Sequence, residues 1–161
     1  MRAQDEAAVA AAHEAMRADD FEFALGWDPA QPFSAYAESL RQWQRGLDLP
    51  EDRVPSTFLL AVVDGVVVGR TSVRHELNDW LAREGGHIGY GVLAAHRRRG
   101  YATEILRQSL VVARSLGVDR TLVVCEDDNV GSATVIERCG GVLDSMGEDS
   151  AGIPIRRYWI G

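Results

Sequence analysis

The sequence predicts an α/β fold on a mixed, mostly antiparallel central sheet flanked by helices, and three stretches carry that expectation. Phe58 to Val63 and Val66 to Val73 are β-branched apolar runs joined by Asp64-Gly65, the dipeptide of a tight hairpin turn. His87 to Leu93 is a short apolar run that passes through a basic turn into a helical pattern and then into Thr121 to Cys125. The two strands of this unit should run parallel, with a right-handed crossover between them. Val142 to Met146 and Ile153 to Trp159, separated by a turn over Gly147 to Gly152, complete the chain as an antiparallel pair.

The other elements follow in order. Asp5 to Asp19 alternates alanine with charged residues and reads as a helix, and a second helix is expected from Ser34 to Gln44 with Ser34 as its cap. Gly26, Asp28, Pro29 and Pro32 break the pattern between them, and no convincing strand precedes the hairpin. The polar cluster Arg74 to Asp79 is either a solvated turn capped by Asn78 or Asp79 or a loop that contacts a substrate. After the basic turn, Ala102, Leu106, Leu110 and Ala113 recur at three- and four-residue spacing with Ile105, Val112 and Leu116 beside them, and Gly117 stops that helix. Glu126, Asp127 and Asp128 end the next strand, and Asn129 to Cys139 reads as a last helix, capped by Asp128 and closed by Gly140-Gly141.

With 161 residues and 46% hydrophobic content, the chain can bury one sizeable core, so one domain over residues 1–161 is expected. A formal charge of -7 argues against a general nucleic-acid binder, which would need a basic surface. The longest apolar run, Phe58 to Val63, is too short to cross a bilayer, and the alanine-rich stretch Ala7 to Ala12 is bracketed by acids rather than by a basic leader, so a cytoplasmic location is expected. Cys125 and Cys139 have neither metal-ligand spacing nor a disulfide framework and read as small buried side chains, with no metal site.

The turn from Arg97 to Ala102 concentrates the chemistry. The first N–H groups of a helix lack internal partners and sit at the positive end of its dipole, so an anion is the natural guest there. Gly100 lets an oxygen approach the backbone, Ala102 is the next smallest choice, and Arg97, Arg98 and Arg99 add donors. Neither a Gly-Lys-Ser/Thr phosphate loop nor a three-glycine dinucleotide fingerprint is present, so a phosphate would be held some other way.

Arg97-x-x-Gly100-x-Ala102, following a strand and opening a helix, resembles the acyl-CoA pyrophosphate loop of the GCN5-related N-acetyltransferases (GNAT superfamily), whose pattern is Arg/Gln-x-x-Gly-x-Gly/Ala. The likeness runs from about Val54 to Ile160, nearest to a bacterial group of predicted acetyltransferases with VPSTF, RHELND, GGHIGYGV, RRRGYATE and IRRYWI-like segments. It implies acetyl-CoA as co-substrate and a splayed parallel strand pair, about residues 87–93 and 121–125, with the pantetheine arm in the gap against backbone groups near Gly91 and Val92. It also implies a pyrophosphate held by Arg97, Arg98, Arg99, Gly100, Tyr101, Ala102 and Thr103, and cofactor contacts from Asn129 and Ser132. Residues 1–53 would form a helical acceptor-side region ahead of an acyl-CoA-binding core over 54–161. The resemblance also allows a homodimer.

Acetyl transfer to an amine needs a neutral nucleophile, a polarised thioester and a stabilised thiolate, and direct attack in a ternary complex needs no covalent enzyme intermediate. His87 stands near the position where several relatives place a glutamate acting through water; it is either a base or a histidine bonded to backbone at a strand end. Tyr158 could serve as the acid at sulfur, with Tyr90 nearby, and aromatic packing is the other reading of each. Where many members carry a tyrosine acid, seven residues after the asparagine, this chain has Ile136, which keeps open a non-catalytic acyl-CoA binding or sensing module. Glu126, Asp127 and Asp128 could attract a cationic acceptor.

Overall fold

The structure is a computed structural model that describes residues 1–161. Two helices, α1 (Glu6–Met16) and α2 (Phe33–Gln44), come first, and no strand precedes β1 (Ser56–Val63). Short 3-10 turns flank α1, which accounts for the longer helix expected over Asp5 to Asp19. Pro32 stands at the N-cap of α2 and Ser34 lies inside the helix, so the cap expected at Ser34 is corrected. A proline suits this end because its missing N–H would find no helical partner there.

β1 turns back into β2 (Val66–Arg74) in antiparallel register from Ser56↔Arg74 to Val63↔Val66. Asp64 and Gly65 both adopt positive φ (49° and 79°), the backbone of the two-residue hairpin turn foreseen for this dipeptide. β2 is buried without interruption from Val68 to Val73, because α1 packs on one side and α3 on the other. β3 (Ile88–Val92) pairs antiparallel with β2, from Gly69↔Val92 to Val73↔Ile88, and forms the free edge of this first sheet.

The crossover helix α3 (Tyr101–Ser115) returns the chain to β4 (Thr121–Glu126), and α4 (Val130–Arg138) leads to β5 (Val142–Glu148) and β6 (Pro154–Ile160). β4, β6 and β5 form a second antiparallel sheet with β6 in the middle. The strands on either side of the crossover thus belong to different sheets and share no ladder. They meet near their N-terminal ends, where the His87 N–H donates to the Leu122 carbonyl at 2.7 Å and the Leu122 N–H donates to His87 Nδ1 at 2.9 Å.

Two apolar clusters hold these layers. Val9, Met16, Phe23, Phe33, Tyr36, Leu40 and Phe58 join α1, α2 and the segment between them to the outer face of the first sheet. Leu106, Leu110, Ala113, Val123, Ile136, Tyr158 and Ile160 join α3, α4 and the second sheet. Both helices that border the crossover opening are anchored through the second cluster, which fixes where their N-termini point.

Candidate active site

Beyond the His87–Leu122 contact the two sheets separate, and a cleft of about 680 Å³ fills the opening between β3, the head of α3 and the head of α4. Its β3 wall is supplied by Tyr90, Gly91 and Val92. The Leu93 N–H donates to Val68 on β2, so by the alternation of an antiparallel ladder the backbone groups of Tyr90 and Val92 face away from β2, toward the opening. Gly91 contributes differently. A Cβ there would come within 2.6 Å of Phe21 Cζ and 3.2 Å of Met16 Cε, so its bare α-carbon lets the segment after α1 lie over the cleft.

The floor is the basic turn. Arg98 (φ 62°) and Gly100 (φ 82°) are both left-handed, a backbone winding of the kind that can gather amides into an anion nest. No backbone or side-chain acceptor of the chain takes the N–H groups of Arg98, Arg99, Gly100, Tyr101, Ala102 or Thr103; the first amide of the region bonded within the protein is that of Glu104, to the Gly100 carbonyl at 3.1 Å. Six consecutive donors without a partner in the chain thus stand at the N-terminal end of α3. A Cβ at Gly100 would meet nothing within 4 Å, so it is the backbone conformation, not crowding, that selects glycine there.

The arginines divide their work. Arg97 is committed to the protein: its Nε donates to the Val92 carbonyl at 3.0 Å and its Nη2 pairs with Asp19 Oδ2 at 2.5 Å, tying the turn to β3 and to the segment after α1. Arg98 lines the cleft with a free guanidinium, and Arg138 joins it from α4. Arg99 is exposed and does not line the cleft, so its expected side-chain contact is not supported by its placement, although its N–H belongs to the nest.

On the α4 wall, Asn129 is the N-cap, its Oδ1 accepting from the Ser132 N–H at 3.0 Å, which corrects the cap expected at Asp128. The Ser132 hydroxyl lies 2.9 Å from that of Tyr90, so one hydroxyl from each side of the opening meets within the cleft. Burial pushes the Tyr90 phenol up to about 12, well above the range in which it would ionise at neutral pH.

Both expected catalytic residues lie elsewhere. His87 is 7% exposed and does not line the cleft. Because its Nδ1 accepts the Leu122 N–H, the neutral ring carries its proton on Nε2 and has no free lone pair for a substrate. Burial first, and Arg74 second, pull its pKa below the ordinary histidine value. Of the two readings of His87, the backbone-bonded histidine fits. Tyr158 is 1% exposed in the core with its hydroxyl donating to Glu137 Oε1 at 3.1 Å, and it too lies outside the cleft. Ile136 is fully buried in the same core and faces away from the opening. Asp127 is engaged by Arg156 Nε at 2.6 Å, which leaves Glu126 and Asp128 as the members of the acidic run without an ion-pair partner. Cys125 packs in the core and burial raises its thiol pKa, which fits a small buried side chain.

Of the two tyrosines considered for the acid, Tyr90 is the one that lines the cleft, and Met16, Asp19 and Phe21 join it from the N-terminal third, where no expectation placed them. Tyr90 was accessible to a period-two count along β3, which puts it on the opposite face from Gly89 and Gly91. Met16, Asp19 and Phe21 carry no local signal, since their place depends on how α1 docks.

The family model for an acetyltransferase (GNAT) domain matches residues 1–142, which extends the likeness into the N-terminal third. No curated protein matches the chain. Among solved structures, Mycobacterium smegmatis RimJ in complex with CoA-disulfide superposes with a TM-score of 0.74 at 19% identity, covering 99% of this chain and 78% of RimJ. Ribosomal-protein-alanine N-acetyltransferase from Brucella melitensis gives 0.66 at 16% identity over 99% and 96% of the two chains. The microcin C7 self immunity acetyltransferase MccE, in complex with acetyl-CoA and AMP, gives 0.68 at 17% identity over 99% and 88%. The match to the domain model over most of its length shows that this chain belongs to the GNAT family of acetyltransferases.

Proposed function

We propose that this protein is an acetyl-CoA-dependent N-acetyltransferase that delivers the acetyl group to a primary amine of a small molecule or peptide by direct attack in a ternary complex. The observation that carries the proposal is the run of six unpartnered amides from Arg98 to Thr103 beside a cleft open to β3 and α4. Such a nest suits a pyrophosphate, with Arg98 and Arg138 as flanking charges. The outward-facing backbone of Tyr90 and the N–H of Val92, whose carbonyl is taken by Arg97, suit an amide-bearing arm, as the resemblance implies for the pantetheine. The complexes of MccE with acetyl-CoA and of RimJ with CoA-disulfide support the choice of ligand.

Catalysis in this reading is positioning plus stabilisation of the leaving thiolate. The Tyr90–Ser132 hydroxyl pair takes the part sought earlier in Tyr158. A phenol held near 12 remains protonated and hydrogen-bonds a developing thiolate without giving up its proton to bulk water. The region before β1 forms the acceptor side, and the working frame is a single acetyltransferase domain in the cytoplasm, with a homodimer carried over from the family resemblance. No helix is long and apolar enough to cross a membrane.

Thermal unfolding with acetyl-CoA, alongside ATP and NAD, tests the reading. Ligand at about a hundred times its dissociation constant should stabilise the fold by roughly 2.7 kcal/mol, and equal shifts with all three would count against acetyl-CoA. Tyr90→Phe is expected to lower kcat by about 10- to 100-fold while acetyl-CoA affinity stays near that of the wild type. Steady-state kinetics with separate calorimetry would show this split, and an unchanged kcat would remove the hydroxyl from the mechanism.

A further inference from the structure

Three arginines converge on the face of the first sheet turned toward α1 and α2, and none has a carboxylate partner. Arg70 on β2 is 5% exposed; its Nη2 donates to the Glu22 carbonyl at 2.9 Å and its Nη1 to the Gly89 carbonyl at 3.3 Å, while its Nε has no acceptor at all. Arg74, two period-two steps further on the same face of β2, donates its Nη1 to the Gly85 and Gly86 carbonyls at 3.0 and 3.2 Å. Arg53 stacks on Trp43 at 4.7 Å, and a Cβ on Gly26 would fall 2.7 Å from its Nη2, which brings it under the loop that joins α1 to α2. All five ion pairs of the protein lie elsewhere.

This arrangement is costly. Burying a guanidinium without a counter-charge is unfavourable, and like charges add to the cost. Burial first, and then Arg74 for Arg70 and Arg53 for Arg74, pull Arg70 and the half-buried Arg74 down to about 10, with Tyr36 and Glu22 acting the other way on Arg70. Stacking of Arg70 on Phe21 at 4.2 Å and on Phe58 at 5.5 Å holds its plane in place but supplies no negative charge. Glu22, in the loop between α1 and α2, accepts from the Gly26 N–H at 2.6 Å through Oε1, and its charge favours the protonated Arg70 less than burial and Arg74 oppose it.

The floor between the arginines is Gly89. A Cβ there would sit 3.4 and 3.5 Å from the Arg74 nitrogens and 3.8 Å from Arg70 Nη1, so the bare α-carbon lies directly beneath two guanidiniums. Gly89 precedes Gly91 of the acetyl-CoA cleft by two residues on the same face of β3, a separation of about 7 Å along the strand.

We infer that the acceptor amine carries an anionic group, a carboxylate or a phosphate, which Arg53, Arg70 and Arg74 bind over Gly89 while the amine reaches toward β3 a few bonds away. The acceptor class is thus small amino acids or aminoalkyl phosphates rather than polyamines or aminoglycosides. The inference rests on the acetyltransferase reading and narrows it.

The test measures CoA release by the full chain with acetyl-CoA and matched acceptor pairs. Amino acids are compared with their decarboxylated amines, and O-phosphoethanolamine with ethanolamine. At least one anionic acceptor should exceed its uncharged counterpart by about 100-fold or more in kcat/KM, and the arm that responds identifies carboxylate or phosphate. Since Arg70 and Arg74 variants could fail to fold, the partly exposed Arg53→Gln is the variant of choice. It should raise KM for the anionic acceptor about tenfold at unchanged acetyl-CoA affinity, with partial recovery in Arg53→Lys. Equal or faster turnover of the uncharged amines, or no turnover of any acceptor by a protein that acetyl-CoA still stabilises, overturns the inference and leaves the acetyl-CoA assignment standing. Loss of that stabilisation in the wild type would instead overturn the assignment on which it rests.

Discussion

Gly100→Glu is expected to abolish acetyl-CoA binding in a protein that remains folded. Gly100 has φ 82° and ψ -4°, so any side chain there strains the backbone by about 1 kcal/mol, but a new Cβ would meet no neighbour within 4 Å. The added carboxylate would stand among the six amides from Arg98 to Thr103, taking donors for itself and repelling a pyrophosphate. Affinity measured by calorimetry should fall by at least about 100-fold, with a drop in Tm of only a few degrees. Gly100→Ala carries the same strain without the charge and separates the two causes. An acetyl-CoA affinity for the glutamate variant within about threefold of wild type would mean that the amides do not hold the phosphates.

His87→Ala should act on stability, not on the chemical step. It removes the acceptor of the buried Leu122 N–H and the ring that packs near Trp159, with centroids 6.2 Å apart. An orphaned buried donor together with the lost packing should cost about 2–4 kcal/mol, read as a lower denaturation midpoint. The pH dependence has a definite sign. The folded-state pKa lies below the ordinary histidine value, so the folded protein favours the neutral ring. The stabilisation is complete above about pH 6.5 and is lost as pH falls from there through the folded pKa. The wild-type advantage over His87→Ala should therefore be largest at pH 7–8 and shrink in acid, while the two pH–rate profiles keep the same shape. Equal stability together with a lost kinetic limb near neutrality would return His87 to the role of base.

The case of His87 shows what the sequence could and could not convey. Histidine beside a central strand is compatible with catalysis or with a backbone bond, and only the approach of Leu122 from a different sheet decides between them. Tyr158 was misplaced for a related reason: β6 lies between β4 and β5, so its inward side chains are core. The hairpin at Asp64-Gly65, the crossover helix and the basic turn were legible because their signals are local, set by turn chemistry and helical periodicity. Arg97 belongs to the turn by its spacing, yet its side chain serves Val92 and Asp19, partners that no spacing reveals. The arginine cluster over Gly89 was invisible in the same way, since Arg53, Arg70 and Arg74 come together only through the docking of the α1–α2 loop on the sheet.

The most direct measurement is an amide-resolved NMR titration of the ¹⁵N-labelled protein with acetyl-CoA. The N–H resonances of Arg98 through Thr103 should show the largest saturable shifts, followed by those of Tyr90, Val92 and Ser132. Saturation that leaves the Arg98–Thr103 amides unmoved, or no saturable change at all, would contradict the assignment of this cleft to acetyl-CoA.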